Sequence, residues 1–435
     1  MIDILKEIIL DFQETEVDTG IPRRVKITPI SKKATVCIGV RRSGKSTYMH
    51  QIISRLLKDG ISRENILFIN FFDDRLHNLA TAGLNSITEA FFSIYPEKKS
   101  TETVYCFFDE IQSYDGWESF VDRIMRTEKC EVYITGSSAK MLSKEIATQM
   151  RGRALSWEMF PFSFEEYLDY RGIKYTEAIT SKKRLNIIKA FENYWECGGF
   201  PEVLGLEKSL RIKIHQEYFH AVLFRDLVER HDISHPRAIV DLAHQLIDNT
   251  ASLYTINKMT GTLKSLGHKV PKTSVSSYID WFEDAYFLFS VRLHDASTKR
   301  SKANPKKIYC IDHSLVSSVS SGILVNSGHL LENLVFASLR RLTQDIFYYK
   351  TGTGKEVDFI AKMPDSSKYL IQVCETLADP QTRMREVSAL EEAIGENEAV
   401  KGFIVTRNES ETIESDNGTI TVIEAWKFLL NLERL

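Results

Sequence analysis

With 435 residues and 43% hydrophobic content, the chain is long enough for about three domains, each with its own core. Its 56 basic and 59 acidic residues leave a net charge of −3, which excludes a chain-wide affinity for polyanions. The six cysteines (37, 106, 130, 197, 310 and 374) lack CxxC spacing and sit mostly in apolar runs, arguing against a zinc site or a disulfide frame and for the reduced thiols of a cytoplasmic protein. The N-terminus lacks a signal-peptide layout, and no apolar stretch reaches the ~18 residues needed to cross a bilayer, so no membrane partner is expected.

A leading helix is expected at about 2–15, followed by a turn with Gly20 and Pro22. Arg23, Arg24 and Lys26 come next and are expected on a solvated edge, with a border of the nucleotide as the alternative. Ala34 to Ile38 is an apolar, β-prone run, and a helical pattern begins at Ser46 and runs to Lys58. Between them lie Gly39-Val40-Arg41-Arg42-Ser43-Gly44-Lys45-Ser46, a complete phosphate-binding loop. Its glycines let successive N–H groups point at one anion, and the helix N-terminus adds its dipole. Lys45 is placed to reach the β- and γ-phosphates of ATP and Ser46 to ligate Mg²⁺. Arg41, Arg42, Ser43 and Thr47 complete the candidate cradle.

Asn65 to Phe71 reads as a second buried strand. Val104 to Phe108 is another continuous apolar run, as expected of a parallel strand covered on both faces. It ends in Asp109-Glu110 at the carboxyl edge where such sheets bind ligands. Asp109 is the candidate Mg²⁺ ligand, and Glu110 the candidate base that orients and polarises the attacking water. The runs Glu131 to Thr135 and Ala154 to Met159 supply two further strands. Strands alternating with helices indicate a parallel α/β sheet. Ser137, at the end of the fourth strand, is placed either to sense the γ-phosphate or to cap a helix. A helical stretch from Lys140 to Met150 leads to Arg151 and Arg153. These are either arginines that complete a neighbouring subunit's site or a surface pair.

After Pro161 the pattern turns helical, at Phe164 to Tyr170, Ser181 to Cys197 and Leu210 to Arg230, which suggests an α-helical lid. Arg225 is either a lid arginine that reads the phosphates or half of an intrahelical pair with Asp226 or Glu229. Residues 236–312 read as a winged helix, with helices over 237–248, 255–265 and 273–284 and strands over 287–291 and 307–311. Residues 255–310 carry ten Lys/Arg against four Asp/Glu, so an anionic polymer should meet this segment first. Lys269, Lys272 and Thr273 at the third helix, with Lys299, Arg300, Lys302, Lys306 and Lys307 in a basic loop, are the nucleic-acid candidates. Packing within an ATPase is the alternative role.

Residues 330–435 carry twelve basic against eighteen acidic residues. Glu332 in a helix, Asp358 at a strand head and the strand Tyr369 to Cys374 follow the layout of a Mg²⁺-dependent nuclease. Where that layout needs Glu-x-Lys, the chain has Gln372-Val373-Cys374. The ligand has lost its charge and the lysine is absent, so an inactive nuclease-like domain is expected.

Gly-Val-Arg-Arg-Ser-Gly-Lys-Ser at 39–46, Phe-Asp-Glu at 108–110, Thr-Gly-Ser-Ser at 135–138 and Gly-Arg at 152–153 carry a family resemblance. It continues through Pro-Phe-Ser-Phe-Glu-Glu-Tyr at 161–167, Arg-Asp at 225–226, Lys-Ile-Tyr-Cys-Ile-Asp at 307–312 and Glu-Val-Asp-Phe at 356–359. From about residue 30 onward, the chain resembles the prokaryotic AAA+ ATPases with a winged helix and a C-terminal PD-(D/E)XK-like domain. The resemblance implies ATP hydrolysis, ring assembly and work on DNA. The expected organisation is an AAA+ core at 1–160, a helical lid at 161–235, a winged helix at 236–312 and an α/β restriction-endonuclease-like domain at 313–435. Two function classes follow: a hexameric DNA motor of helicase type, or an ATP-gated switch whose C-terminal domain binds a protein.

Overall fold

Apolar runs bounded by polar residues become strands here because both of their faces are covered. The computed structural model describes residues 1–137, 150, 152–176, 180–323, 325–397 and 400–432, without the side chains of 298, 302 and 303. The helix expected over 140–150 and Arg151 therefore lie outside the described residues, Met150 apart. The chain divides into two units, Met1–Phe160 and Pro161–Leu435.

The first unit holds a five-stranded sheet in the order β2-β3-β4-β1-β5. Its strands are β1 (Ala34–Ile38), β2 (Ile66–Asn70), β3 (Val104–Asp109), β4 (Cys130–Gly136) and β5 (Ala154–Glu158). Every pairing is parallel. All five residues of β1 are buried, the result of its central place in a sheet with helices on both sides. Helix α1 (Ile2–Glu14) stacks Phe12 on Phe68 of β2, ring centroids 4.3 Å apart. Helix α2 (Lys45–Lys58) places Met49 and Ile53 against Ile66, Phe68, Phe107 and Tyr133. The strand order fixes the site: β4 separates β3 from β1, so its end lies between the acidic pair and the phosphate loop.

In the second unit, the helix Phe164–Tyr170 begins with a reciprocal Ser163–Glu166 capping box, and Thr180 caps Ser181–Cys197. The helix Lys208–Ala221 continues as a π-helical stretch over Val222–Glu229, an uncommon geometry that recurs at functional positions. Helices Pro236–Asp248, Ile256–Ser265 and Lys272–Asp284 follow.

A nine-stranded sheet then runs in the order β13-β14-β12-β11-β10-β9-β7-β8-β6. β6 (Leu253–Tyr254), β7 (Leu288–Leu293) and β8 (Lys306–Cys310) are antiparallel, and β7 pairs in parallel with β9 (Ile346–Lys350) on its other edge. β10 (Glu356–Lys362), β11 (Lys368–Val373), β12 (Val400–Thr406), β13 (Glu411–Ser415) and β14 (Gly418–Glu424) complete it. The strands on either side of residue 312 thus share one sheet, which pairs an edge of β7 that would otherwise carry unmet backbone groups. The expected basic loop after β7 contains a short helix, Thr298–Ala303, capped by the Ser297 hydroxyl.

Candidate functional site

The phosphate loop joins β1 to α2 with the backbone its sequence requires. Gly39 has φ 153°, and a Cβ there would lie 2.0 Å from the Met159 carbonyl oxygen. Gly44 is left-handed at φ 93°. Arg42 adopts φ 65° without being a glycine, a strained conformation of the kind that gathers at ligand sites. Lys45 is buried, and its ammonium donates to the carbonyls of Gly39 and Val40, both at 3.1 Å. It stands 3.7 Å from Glu110 Oε1. The Ser43 hydroxyl is fully buried without a hydrogen-bond partner, the condition of a group that waits for a ligand oxygen. Thr47 is half-buried on α2, and Arg41 lies over the Phe72 ring at 5.8 Å.

Asp109 and Glu110 are both buried at the carboxyl end of β3. Burial pushes the Asp109 carboxyl above its usual range, against hydrogen bonds from the hydroxyls of Thr135 and Ser46. Asp109 and the Ser46 hydroxyl therefore lie together, a hard-oxygen pair suited to Mg²⁺. Glu110 behaves in the opposite sense. Burial raises its pKa, but Lys45, Gln112, Arg41 and Ser137 outweigh it and hold the carboxyl below its usual value. Its backbone N–H donates to Thr135 Oγ1 at 3.0 Å. At φ 58° Glu110 is itself strained, which turns its side chain out of the strand's alternation. Two adjacent carboxylates thus have divergent proton affinities, set by their different neighbours.

Ser137 is buried beside Glu110. Arg153 is half-exposed and pairs with Asp122 of its own chain, Nη1 to Oδ1 2.8 Å. Arg225 is exposed on the π-helical stretch of the second unit. Lys269, Lys272, Thr273, Lys299 and Arg300 are exposed, with Arg300 3.2 Å from Asp295, and the Lys302 side chain lies outside the described set.

Two residues depart from expectation. Arg23, expected on a solvated edge, donates to the Ser43 carbonyl at 2.6 Å and the Phe160 carbonyl at 2.7 Å, which straps the phosphate loop to the end of the sheet. Gln51 of α2 holds the same segment through the carbonyls of Thr19 and Ile21, both at 2.7 Å, and the Arg23 N–H at 3.1 Å. Lys307, expected in a basic surface loop, is 3% exposed. Its ammonium lies 2.8 Å from Asp358 Oδ1 and 3.0 Å from both Glu332 Oε1 and Glu356 Oε1. Strand alternation is the signal that could have found it: Lys307 and Tyr309 share one face of β8, and Tyr309 also donates to Glu332 Oε1, at 2.6 Å.

Glu332, Asp358 and Gln372 line one cleft of about 760 Å³, together with Glu356 and Glu386. Glu332 is presented by the helix Ser327–Arg340, which Asn333 fastens to both backbone groups of Cys310. Asp358 Oδ2 accepts the Val373 N–H at 2.9 Å. Gln372 Oε1 accepts the Asp358 N–H at 3.1 Å, and its amide donates to Glu386. Among the described residues, no group of three or more acidic, His or Cys side chains is arranged to hold a metal ion. No helix among them is long and apolar enough to cross a membrane.

A parallel sheet in this strand order, with a glycine loop at β1 and an acidic pair ending β3, has the layout of an α/β nucleotide-binding core. The family model described as an AAA domain matches residues 31–168, and two described as domains of unknown function match 188–323 and 327–428. The chain is 35% identical to the uncharacterized protein MJ1544 of Methanocaldococcus jannaschii over 98% of its own length and 95% of that protein's, and it belongs to that protein's family. An uncharacterized protein of Haemophilus influenzae is 30% identical over 77% of this chain and 81% of its own. Among solved structures, Aeropyrum pernix Orc1 in complex with DNA is similar at TM-score 0.32 and 14% identity, over 67% of this chain and 87% of that one. AMPPCP-bound DnaA from Aquifex aeolicus is similar at TM-score 0.27 and 11% identity, over 65% and 86%.

Proposed function

We propose that this protein is a Mg²⁺-dependent ATPase that assembles into a ring, a hexamer, and uses hydrolysis to unwind or remodel forked or single-stranded DNA. The observation that carries the ATPase part is the composite site: a strapped phosphate loop with an unpartnered Ser43 hydroxyl, the Ser46–Asp109 pair, and a Glu110 carboxyl kept ionised by Lys45. Ser46 and Asp109 would hold Mg²⁺, which would supply charge stabilisation to the phosphate oxygens when bound. Lys45 leaves the Gly39 and Val40 carbonyls for the β- and γ-phosphates. Glu110 accepts a proton from the water that attacks the γ-phosphorus. The bond from phosphorus to the β–γ bridging oxygen breaks, and ADP and phosphate leave. Ser137 helps to position that water, and Arg153 or Arg151 stabilises the charge in a neighbouring subunit's site. Arg225 serves as the arginine that reports nucleotide state.

The DNA part rests on the three helices and antiparallel strands of residues 236–312, taken as a winged helix. Exposed Lys269, Lys272 and Thr273 stand at the start of its third helix, and Lys299 and Arg300 on its short helix. The in-chain Arg153–Asp122 pair favours a second reading, an ATP-gated switch whose C-terminal domain binds a protein. ATPase rates with and without forked, single-stranded and duplex DNA, alongside the assembly mass with ATP, decide between them. DNA stimulation and a ring support the motor. Slow turnover indifferent to DNA, in a nucleotide-bound monomer, refutes it in favour of the switch.

A further inference from the structure

The nuclease-like cleft of the second unit already contains a cation of its own. Lys307 Nζ lies within 3.0 Å of one oxygen from each of Glu332, Glu356 and Asp358. These carboxylates come from the helix Ser327–Arg340 and from β10, while the lysine comes from β8, three elements that meet only in the folded chain. A β-bulge between Val357 and Ile360 lies at Asp358, a distortion of the kind that re-aims a side chain. We propose that the Lys307 ammonium occupies the position at which Glu332 and Asp358 would otherwise hold a divalent metal, so that the cleft carries a covalently tethered counter-cation and takes none from solution.

Several independent contacts argue for a finished site. The second Asp358 oxygen is committed to the Val373 N–H, and Glu332 Oε1 also receives the Tyr309 hydroxyl. Gln372, where the nuclease layout has an acid, is neutral, and its carbonyl oxygen is already accepting from the Asp358 N–H. Mg²⁺ demands oxygens at about 2.0–2.1 Å in near-octahedral geometry. The ammonium contacts are 2.8–3.0 Å, so a metal would require both contraction of the cluster and eviction of a buried side chain. The charges agree. Burial alone would lower the Lys307 pKa, but Asp358 and Glu332 drive it well above normal, which keeps the ammonium charged. Burial and the Asp358 charge push the Glu332 carboxyl up, while Lys307 and the Tyr309 hydroxyl oppose them. Glu332, Glu356 and Asp358 thus converge on a single fixed positive charge, which holds them together without a divalent ion. The lysine absent from the strand after Asp358 is thus matched by one from a different strand, which binds the carboxylates directly.

The test uses the full chain without nucleotide, which separates it from the ATPase proposal, and Mn²⁺ as the probe. Binding is read by electron paramagnetic resonance and stability by thermal melting. In the parent, Asp358→Asn should leave the Mn²⁺ isotherm unchanged, and Mn²⁺ should not shift the melting temperature of this unit. Lys307→Met should melt lower in EDTA, gain one Mn²⁺ per chain and recover stability with Mn²⁺, and Lys307→Met/Asp358→Asn should lose that gain. A parental Mn²⁺ site abolished by Asp358→Asn would overturn the proposal, because lysine and metal would then coexist. A folded Lys307→Met that binds no additional Mn²⁺, or one that stays unfolded at every Mn²⁺ concentration, overturns it too, because the metal then fails to replace the ammonium.

Discussion

Glu110→Gln isolates the chemical step from nucleotide binding. Glutamine matches glutamate in size, so the contact from Gln112 and the backbone N–H bond to Thr135 can persist while the carboxylate charge is lost. A positioned general base contributes about 10²–10⁴ in rate, or roughly 3–5 kcal/mol of barrier. The variant should therefore release phosphate ~10²–10⁴ times more slowly in a single turnover. ATP binding should hold or tighten, because Lys45, 3.7 Å from Glu110 in the parent, is freed for phosphate. The depressed Glu110 pKa adds a pH signature. The base stays ionised throughout the neutral range, so parental turnover should fall on the acid side only below the usual carboxylate range. Fluorescent-ATP titration and quenched-flow phosphate release measure the two quantities. Parental turnover in Glu110→Gln would refute the assignment of the base, and lost ATP binding would make Glu110 architectural.

Arg23→Ala removes two charge-assisted bonds to carbonyls, each worth about 1.5–3 kcal/mol. ATP affinity should weaken at least tenfold and the melting temperature should fall, and an unchanged affinity in the titration would reduce the strap to a surface contact. Arg153→Ala should cost under about 1 kcal/mol of stability, because its pair with Asp122 is part-exposed. It should bind ATP and hydrolyse it poorly, and mixing with Lys45→Ala subunits should restore activity; no recovery despite demonstrated co-assembly assigns the arginine to its own chain. Asp312, buried, accepts from the Gly199, Ser314 and Leu315 N–H groups and the Ser314 hydroxyl, so Asp312→Ala should cost about 3–5 kcal/mol in urea melts. Burial raises its pKa, but His313, His215 and the hydrogen bonds hold it below normal. The stabilisation is thus present above the unfolded carboxylate value and lost as pH falls through the lower folded one. Parental stability that does not decline along this acid limb, or an Asp312→Ala that declines equally, would refute the linkage.

The nucleotide site was legible because its parts are contiguous. Residues 39–46 carry the loop in one stretch, and Val104–Asp109 announces a doubly covered strand by its unbroken apolar run before the acidic pair. The helical pattern also placed Phe164–Tyr170 and Ser181–Cys197 at their observed bounds. What the linear pattern could not reveal depends on partners distant along the chain. The strap from Arg23 reaches carbonyls 20 and 137 residues away. Lys307 meets Glu332 and Asp358 across 25 and 51 residues. Beside Lys306, Lys307 looked like the next member of a basic surface loop, although it lies on the same face of β8 as Tyr309 and both faces of that strand are covered from residue 307 onward. The parallel pairing of β7 with β9 likewise has no signature in either strand's residues, because backbone hydrogen bonds to a strand edge are blind to side-chain identity. Sequence by itself therefore determined the phosphate loop, the acidic pair and the run of elements around them, where side-chain pattern and local backbone chemistry suffice. Tertiary structure alone decided which charges face one another and which strands share a sheet, because electrostatic pairing and sheet edges are satisfied by proximity in space.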